Sequence, residues 1–129
     1  MNEKKIKVMV VEDSAIIVQR LYTVLSEIIF IKSIAHAKNG EEALTLMNLL
    51  NPELILLDIK MPGINGIEVL KHIRKEHQGS RVVMLTNYAN MQYKDLCIGL
   101  GADHFLDKST EFDRIGEIIT AMQKKISMN

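Results

Sequence analysis

The chain has 129 residues, which fits one domain on the usual scale of about 100–200 residues per domain. Hydrophobic residues at 47% and charged residues at 25% exclude a disordered chain, a collagen-like chain and a disulfide scaffold. Lys+Arg and Asp+Glu both number 16, so the positive excess of a non-specific nucleic-acid binder is missing.

Lys7-Val8-Met9-Val10-Val11 reads as a buried strand. Glu12 and Asp13 cut this apolar run too short for a signal segment or a membrane span. The one cysteine, Cys97, forms no intramolecular disulfide and reads as a small buried side chain. A soluble cytoplasmic protein with no membrane partner is expected.

From Ser14 to Phe30, Ile17, Leu21, Val24 and Ile28 recur at helical spacing. Ile31 to Ala37 is a second β-rich stretch. Asn39 is placed to cap a helix, with Glu42 in position for a capping box. Ala43, Leu46, Met47 and Leu50 form its apolar face, and Asn51-Pro52 stops it. Leu54-Ile55-Leu56-Leu57 has the pattern of a strand buried on both faces. Loop chemistry follows over Met61-Pro62-Gly63-Ile64-Asn65-Gly66. A helix over Ile67 to Glu76 then turns Val69, Leu70 and Ile73 inward.

Val82-Val83-Met84-Leu85 is a fourth strand, ending at Thr86. Tyr93, Leu96, Cys97 and Leu100 mark a fourth helix, with Gly101 suited to the position after it. His104-Phe105-Leu106 is a short fifth strand. Ser109-Thr110 offers a cap for a last helix with Ile115, Ile118, Ile119, Met122 and Ile126 on one face. Only Ser127-Met128-Asn129 follows, so a single domain over 1–129 is expected. Five doubly apolar strands alternating with five helices argue for an α/β fold with a parallel sheet covered on both sides.

In such a sheet the C-terminal strand ends share one edge, where ligands bind. That edge collects Glu12, Asp13, Asp58, Thr86, Asp107 and Lys108. Neighbouring carboxylates need a counterion, and a few oxygen ligands with room for water suit Mg²⁺. An ammonium and a hydroxyl beside them complete a site for phosphoryl transfer. Taken singly, each residue has a plainer role: Asp13 as a helix cap, Asp58 as a loop start, Thr86 as a strand end, Lys108 as a solvated cation. The joint pattern over four strands carries the reading. His36, His72, His77 and His104 have no metal-ligand or catalytic spacing.

The chain resembles the receiver domain of bacterial two-component response regulators, the CheY-like family. Val10-Val11-Glu12-Asp13-Ser14, Leu56-Leu57-Asp58-Ile59-Lys60-Met61-Pro62-Gly63-Ile64-Asn65-Gly66, Met84-Leu85-Thr86 and Phe105-Leu106-Asp107-Lys108 carry the resemblance. It implies a flavodoxin-like (βα)5 doubly wound sheet with strand order 2-1-3-4-5. It also implies that Asp58 accepts a phosphoryl group from a histidine kinase or a phosphotransfer protein. Asp13, Asp58, the Lys60 backbone carbonyl and Glu12 would hold Mg²⁺. Lys108 would pair with the phosphoryl group, and Thr86 would swing towards it while the aromatic residue Phe105 rotates inward. Lys60 and Tyr88 fall where residues flank the path of hydrolytic water, and are candidates for setting the phosphate's lifetime.

Two positions depart from the family pattern. Ser109 replaces a frequent proline whose preceding peptide bond is often cis, and a non-proline cis bond costs about 2.5–4 kcal/mol. Phe105 replaces a frequent tyrosine. A stand-alone phosphoacceptor, rather than a turnover enzyme, is the reading that follows. Its output would pass by protein contact at the fourth helix, fifth strand and fifth helix, near Met91, Tyr93, Lys94, Phe105, Asp113 and Arg114. A phosphorylation-dependent dimer through that face is an alternative to a monomer. Three other readings remain. An aspartyl phosphatase of haloacid-dehalogenase type would want a second Asp where Lys60 stands. A flavodoxin-like cofactor binder would want a phosphate-cradling loop where Glu12-Asp13 stands. A degenerate receiver would bind partners without phosphorylation.

Overall fold

The computed structural model describes residues 5–128, with side chains through Lys124. Five strands, β1 (Ile6–Val11), β2 (Ile31–Ala37), β3 (Leu54–Leu57), β4 (Arg81–Thr86) and β5 (His104–Asp107), alternate with five helices. The helices are α1 (Ala15–Leu25), α2 (Gly40–Leu50), α3 (Gly66–Glu76), α4 (Met91–Gly99) and α5 (Ile115–Met128). The sheet is parallel throughout, in the order β2-β1-β3-β4-β5, as expected.

Successive strand residues point to opposite faces, and this sorts the core into two layers. Val8, Val10, Leu54, Leu56, Val83, Leu85 and Leu106 pack with Leu21 and Leu25 of α1 and Ile115, Ile118, Ile119 and Met122 of α5. Met9, Val11, Ile55, Leu57, Val82, Met84 and Phe105 pack with Ala43 and Met47 of α2, Val69, Leu70 and Ile73 of α3, and Cys97 of α4. The β1, β3 and β4 strands are therefore apolar at nearly every position.

Helix starts follow local chemistry. Asn39, Asn65 and Asn90 each accept the N–H of the residue three further on, capping α2, α3 and α4. Glu42 reaches back to the Lys38 N–H at 3.0 Å, one residue beyond the expected capping-box partner, Asn39. Asn51 ends α2 in the left-handed region at φ 47°.

Three expectations need correction. α1 ends at Leu25, not Phe30. The Ser26 N–H still bonds the Tyr22 carbonyl, but the Phe30 carbonyl accepts the N–H of Ile6 at 2.9 Å, so the sheet claims that backbone. Ile28 keeps its helical phase only because it packs from a turn onto the same layer. In α4 the apolar residues are spread round the helix: Cys97 is buried, while Leu96 is 45% exposed. At α5, Ser109 and Thr110 do not cap. Asp107 Oδ1 accepts the Ser109 N–H at 2.7 Å, and Glu111 Oε1 accepts the Asp107 N–H at 3.1 Å. This turn leads into a 3-10 segment, Phe112–Arg114, with Phe112 buried, before α5 begins. Ile126 lies outside the described side chains. The Lys108–Ser109 peptide is trans, since no described peptide bond is cis.

Candidate phosphoacceptor site

The ends of β1 and β3 are tied by the Asp58 N–H bonding the Val11 carbonyl at 3.2 Å. The ends of β4 and β5 are tied by the Lys108 N–H bonding the Thr86 carbonyl at 3.0 Å. Residues from distant parts of the chain are thereby drawn to one sheet edge. Lys108 Nζ lies 2.6 Å from Glu12 Oε1 and 2.8 Å from Asp58 Oδ2. All three are almost fully buried, at 5%, 2% and 5% exposure for Lys108, Glu12 and Asp58. Asp13 is exposed at the rim.

The remaining carboxylate oxygens are also partnered. Asp58 Oδ1 accepts the Ile59 N–H at 2.7 Å, and Glu12 Oε2 accepts the Ser14 N–H at 3.0 Å. Burial pushes the Glu12 carboxyl above its ordinary range, against the opposing pull of the Lys108 bond and the Ser14 N–H. For Lys108 burial works to lower the pKa, but the bonds and charges of Asp58 and Glu12 together outweigh it and leave it raised. Lys108 is therefore a firmly charged ammonium at neutral pH.

Glu12, Asp13 and Asp58 each offer an oxygen within 4.8 Å of the others. Three carboxylates against one ammonium leave two negative charges. That excess and the all-oxygen donor set fit a hard divalent cation.

Thr86 is fully buried, and its Oγ1 accepts the Tyr88 N–H at 3.1 Å. Phe105, read as turning inward, is already inside the α2–α4 layer at 8% exposure, so it offers no surface for a partner here. Tyr88 is 49% exposed and Lys60 is exposed beside it, with the Lys60 ammonium 5.3 Å from the Tyr88 ring centre. Asp107 takes part in the turn before α5 rather than in the acid cluster. Of the surface residues expected at the output face, Met91, Lys94, Asp113 and Arg114 are exposed and Tyr93 is half-buried.

Two supporting residues were not legible as such. His36 Nε2 donates to the Glu12 carbonyl at 2.8 Å, closing the end of β1 from the edge strand. Gly66 lies directly against the backbone of Asp58, its N–H bonding the Ile59 carbonyl at 2.8 Å. The loop motif contains Gly66, but the contact that demands a glycine appears only in three dimensions. The other histidines stay away from the site: His77 meets Asn48 Oδ1 at 3.1 Å and stacks obliquely with His72.

This geometry belongs to a known class. A family model for the response regulator receiver domain matches residues 8–120, and the chain belongs to that family. A sensory transduction protein, LytT, of Oceanobacillus iheyensis is 32% identical over 95% of this chain and 50% of its own length. The nitrate/nitrite response regulator NarL of Escherichia coli is 29% identical over 85% of this chain and 51% of its own. The chain thus spans about half the length of these curated relatives. The response regulator domain of Thermotoga maritima CheB superposes with a TM-score of 0.82 at 30% identity, covering 98% of both chains. A receiver domain of the Francisella response regulator 1452 reaches 0.85 at 30% identity, over 95% of this chain and 99% of that one. The protein is a CheY-like receiver, a signalling domain of two-component systems. No described helix is long and apolar enough to cross a membrane.

Proposed function

We propose that the chain is a single receiver domain that accepts a phosphoryl group on Asp58 and works in the cytoplasm as a stand-alone regulator. The donor is a histidine kinase or a phosphotransfer protein. One Asp58 carboxylate oxygen forms the new bond to phosphorus as the N–P bond of a phosphohistidine breaks, and the imidazole keeps the electron pair. Asp13, Asp58, Glu12 and the Lys60 carbonyl would hold Mg²⁺, which would supply charge neutralisation for the phosphoryl group. Lys108 pairs with one of those oxygens, and Thr86 donates to another after leaving the Tyr88 N–H. Lys60 and Tyr88 set how long the acyl phosphate survives. The protein is a phosphoacceptor, with no turnover beyond self-phosphotransfer and slow loss of its own phosphoryl group. Phe105 is the packing partner of the Thr86 movement, and α4, β5 and α5 present the changed face to a protein target or a second copy.

The observation that carries this reading is the buried Lys108 ammonium shared by Glu12 and Asp58, with a net deficit of two positive charges around it. Incubation with Mg²⁺ and a small-molecule phosphodonor, read by intact mass, tests it. A gain of one phosphoryl group that needs Mg²⁺ and vanishes in Asp58→Asn supports it. No gain under conditions that label a control receiver overturns it in favour of phosphorylation-independent binding.

A further inference from the structure

The Lys60 ammonium stands between two aromatic rings. It lies 5.3 Å from the ring centre of Tyr88 and 5.8 Å from that of Tyr93. Both distances fall inside the roughly 6 Å over which a ring face attracts a cation. Lys60 comes from the loop after β3, two residues past Asp58, whereas the rings come from the segment after β4 and from the first turn of α4.

The two rings are anchored differently. Tyr88 is 49% exposed, and its backbone N–H is the group that holds Thr86 Oγ1. Tyr93 is half-buried and packs against the α2–α4 layer. Its N–H bonds the capping Asn90 Oδ1 at 2.9 Å. Tyr93 is therefore a fixed support, Tyr88 a loose one, and Lys60 the link between them. An exposed lysine with no such partner spreads over many rotamers. Here the second ring restricts that freedom, and it sits on α4, which supplies no member of the acid cluster.

We infer that Tyr93 is a positioning residue: through Lys60 it keeps Tyr88 beside the acid pocket and so slows the approach of water to phosphorylated Asp58. The inference rests on the reading of Asp58 as acceptor. Hydrolysis breaks the O–P bond with its electron pair returning to the Asp58 carboxylate, and water supplies the oxygen that ends in inorganic phosphate. Removing the Tyr93 ring frees Lys60, then Tyr88, and shortens the lifetime by about two- to fivefold, the span a cation–π contact at an exposed site supports.

Two readouts on the full chain test this. In the unphosphorylated protein, the ε-methylene protons of Lys60 are shifted upfield by ring currents; the shift shrinks in Tyr93→Leu and is retained in Tyr93→Phe. After labelling with a small-molecule phosphodonor and removal of the donor, the phosphoryl half-life falls in Tyr93→Leu and is restored in Tyr93→Phe. In a Lys60→Met background, Tyr93→Leu has no further effect. An unchanged half-life in Tyr93→Leu, or an equal loss in the Lys60→Met background, overturns the positioning role while leaving Asp58 as acceptor. A parent protein that takes no label overturns the acceptor reading and the lifetime role with it, and a shifted Lys60 signal then reports the aromatic contact alone.

Discussion

Gly66 packs so closely on Asp58 that a β-carbon at position 66 would overlap the Asp58 carbonyl oxygen. The obstacle is backbone, not the end of a flexible side chain, so it has little room to yield. Gly66→Ala forces apart the start of α3 and the residue at the centre of the acid cluster. The expected loss is ~3 kcal/mol, the upper part of the usual overpacking range. Urea unfolding measures it. An equally stable Ala variant would show that the loop relaxes freely. Gly79, where an added β-carbon would meet nothing within 4 Å, is the matched control.

Lys108→Met leaves Glu12 and Asp58 buried without their shared cation. Removing one partner of a buried charge cluster costs about 3–5 kcal/mol, because the charges left behind stay desolvated. Urea midpoints at neutral pH, without divalent cation, give this cost. Mg²⁺ at 100 times its dissociation constant should stabilise the parent chain by about 2.7 kcal/mol through mass action. Asp13→Asn should weaken that gain at fixed Mg²⁺, and a chelator should abolish it.

Arg74 is a junction at the opposite edge of the sheet from the acids. Its Nε donates to the Gly101 carbonyl at 2.7 Å, its Nη1 to the Ser80 carbonyl at 2.7 Å, and its Nη2 to Asp103 Oδ2 at 3.0 Å. The same Asp103 oxygen accepts the Val82 N–H at 2.8 Å. Arg74→Ala takes a donor from the Ser80 and Gly101 carbonyls at the turns before β4 and β5, while Asp103 keeps the Val82 N–H and Arg81, and should cost on the order of 2 kcal/mol. Arg74→Lys should recover little, since a point charge does not serve three acceptors in a planar fork. Thermal unfolding of the two variants against the parent checks both statements.

Glu111 gives the chain an acid-sensitive element away from the acids of the site. Its carboxyl is held below the ordinary value of 4.5, first by the Asp107 N–H and then by Arg114. A lowered folded-state pKa means that the folded chain binds fewer protons than the unfolded one in the window beneath 4.5. The contribution is therefore complete above 4.5 and is lost as pH falls through the lowered value. Glu111→Gln should separate from the parent in urea midpoint at pH 6–7, and the gap should narrow as the pH is taken well below 4.5. A gap independent of pH would show that the charge is not what Glu111 contributes.

Much of this molecule was legible in its residues. The run Leu54-Ile55-Leu56-Leu57 between Pro52 and Asp58 admits little besides a strand covered on both faces. Acids, a threonine and a lysine at four strand ends identify the edge where chemistry collects. What escaped reading depends partly on atoms distant in sequence and partly on competition between neighbours. Ile28 shares the phase of the α1 face yet belongs to a turn, because the Ile6–Phe30 bond draws the backbone into the sheet. Ser109-Thr110 has the composition of a cap, but Asp107 and Glu111 take the local N–H groups first. His36 has no distinctive spacing, and the helical spacing of Tyr93 points to a packed face rather than to Lys60. Their roles arise from the β2 register and from where α4 begins.

The sheet acts as an insulator between two separate interiors. Side chains beneath α1 and α5 do not meet those beneath α2, α3 and α4, and the aromatic partner of Lys60 on α4 belongs wholly to the second group. Ile119→Val on one side and Ile73→Val on the other should then add in stability to within about 0.3–0.5 kcal/mol, as a double-mutant cycle would read.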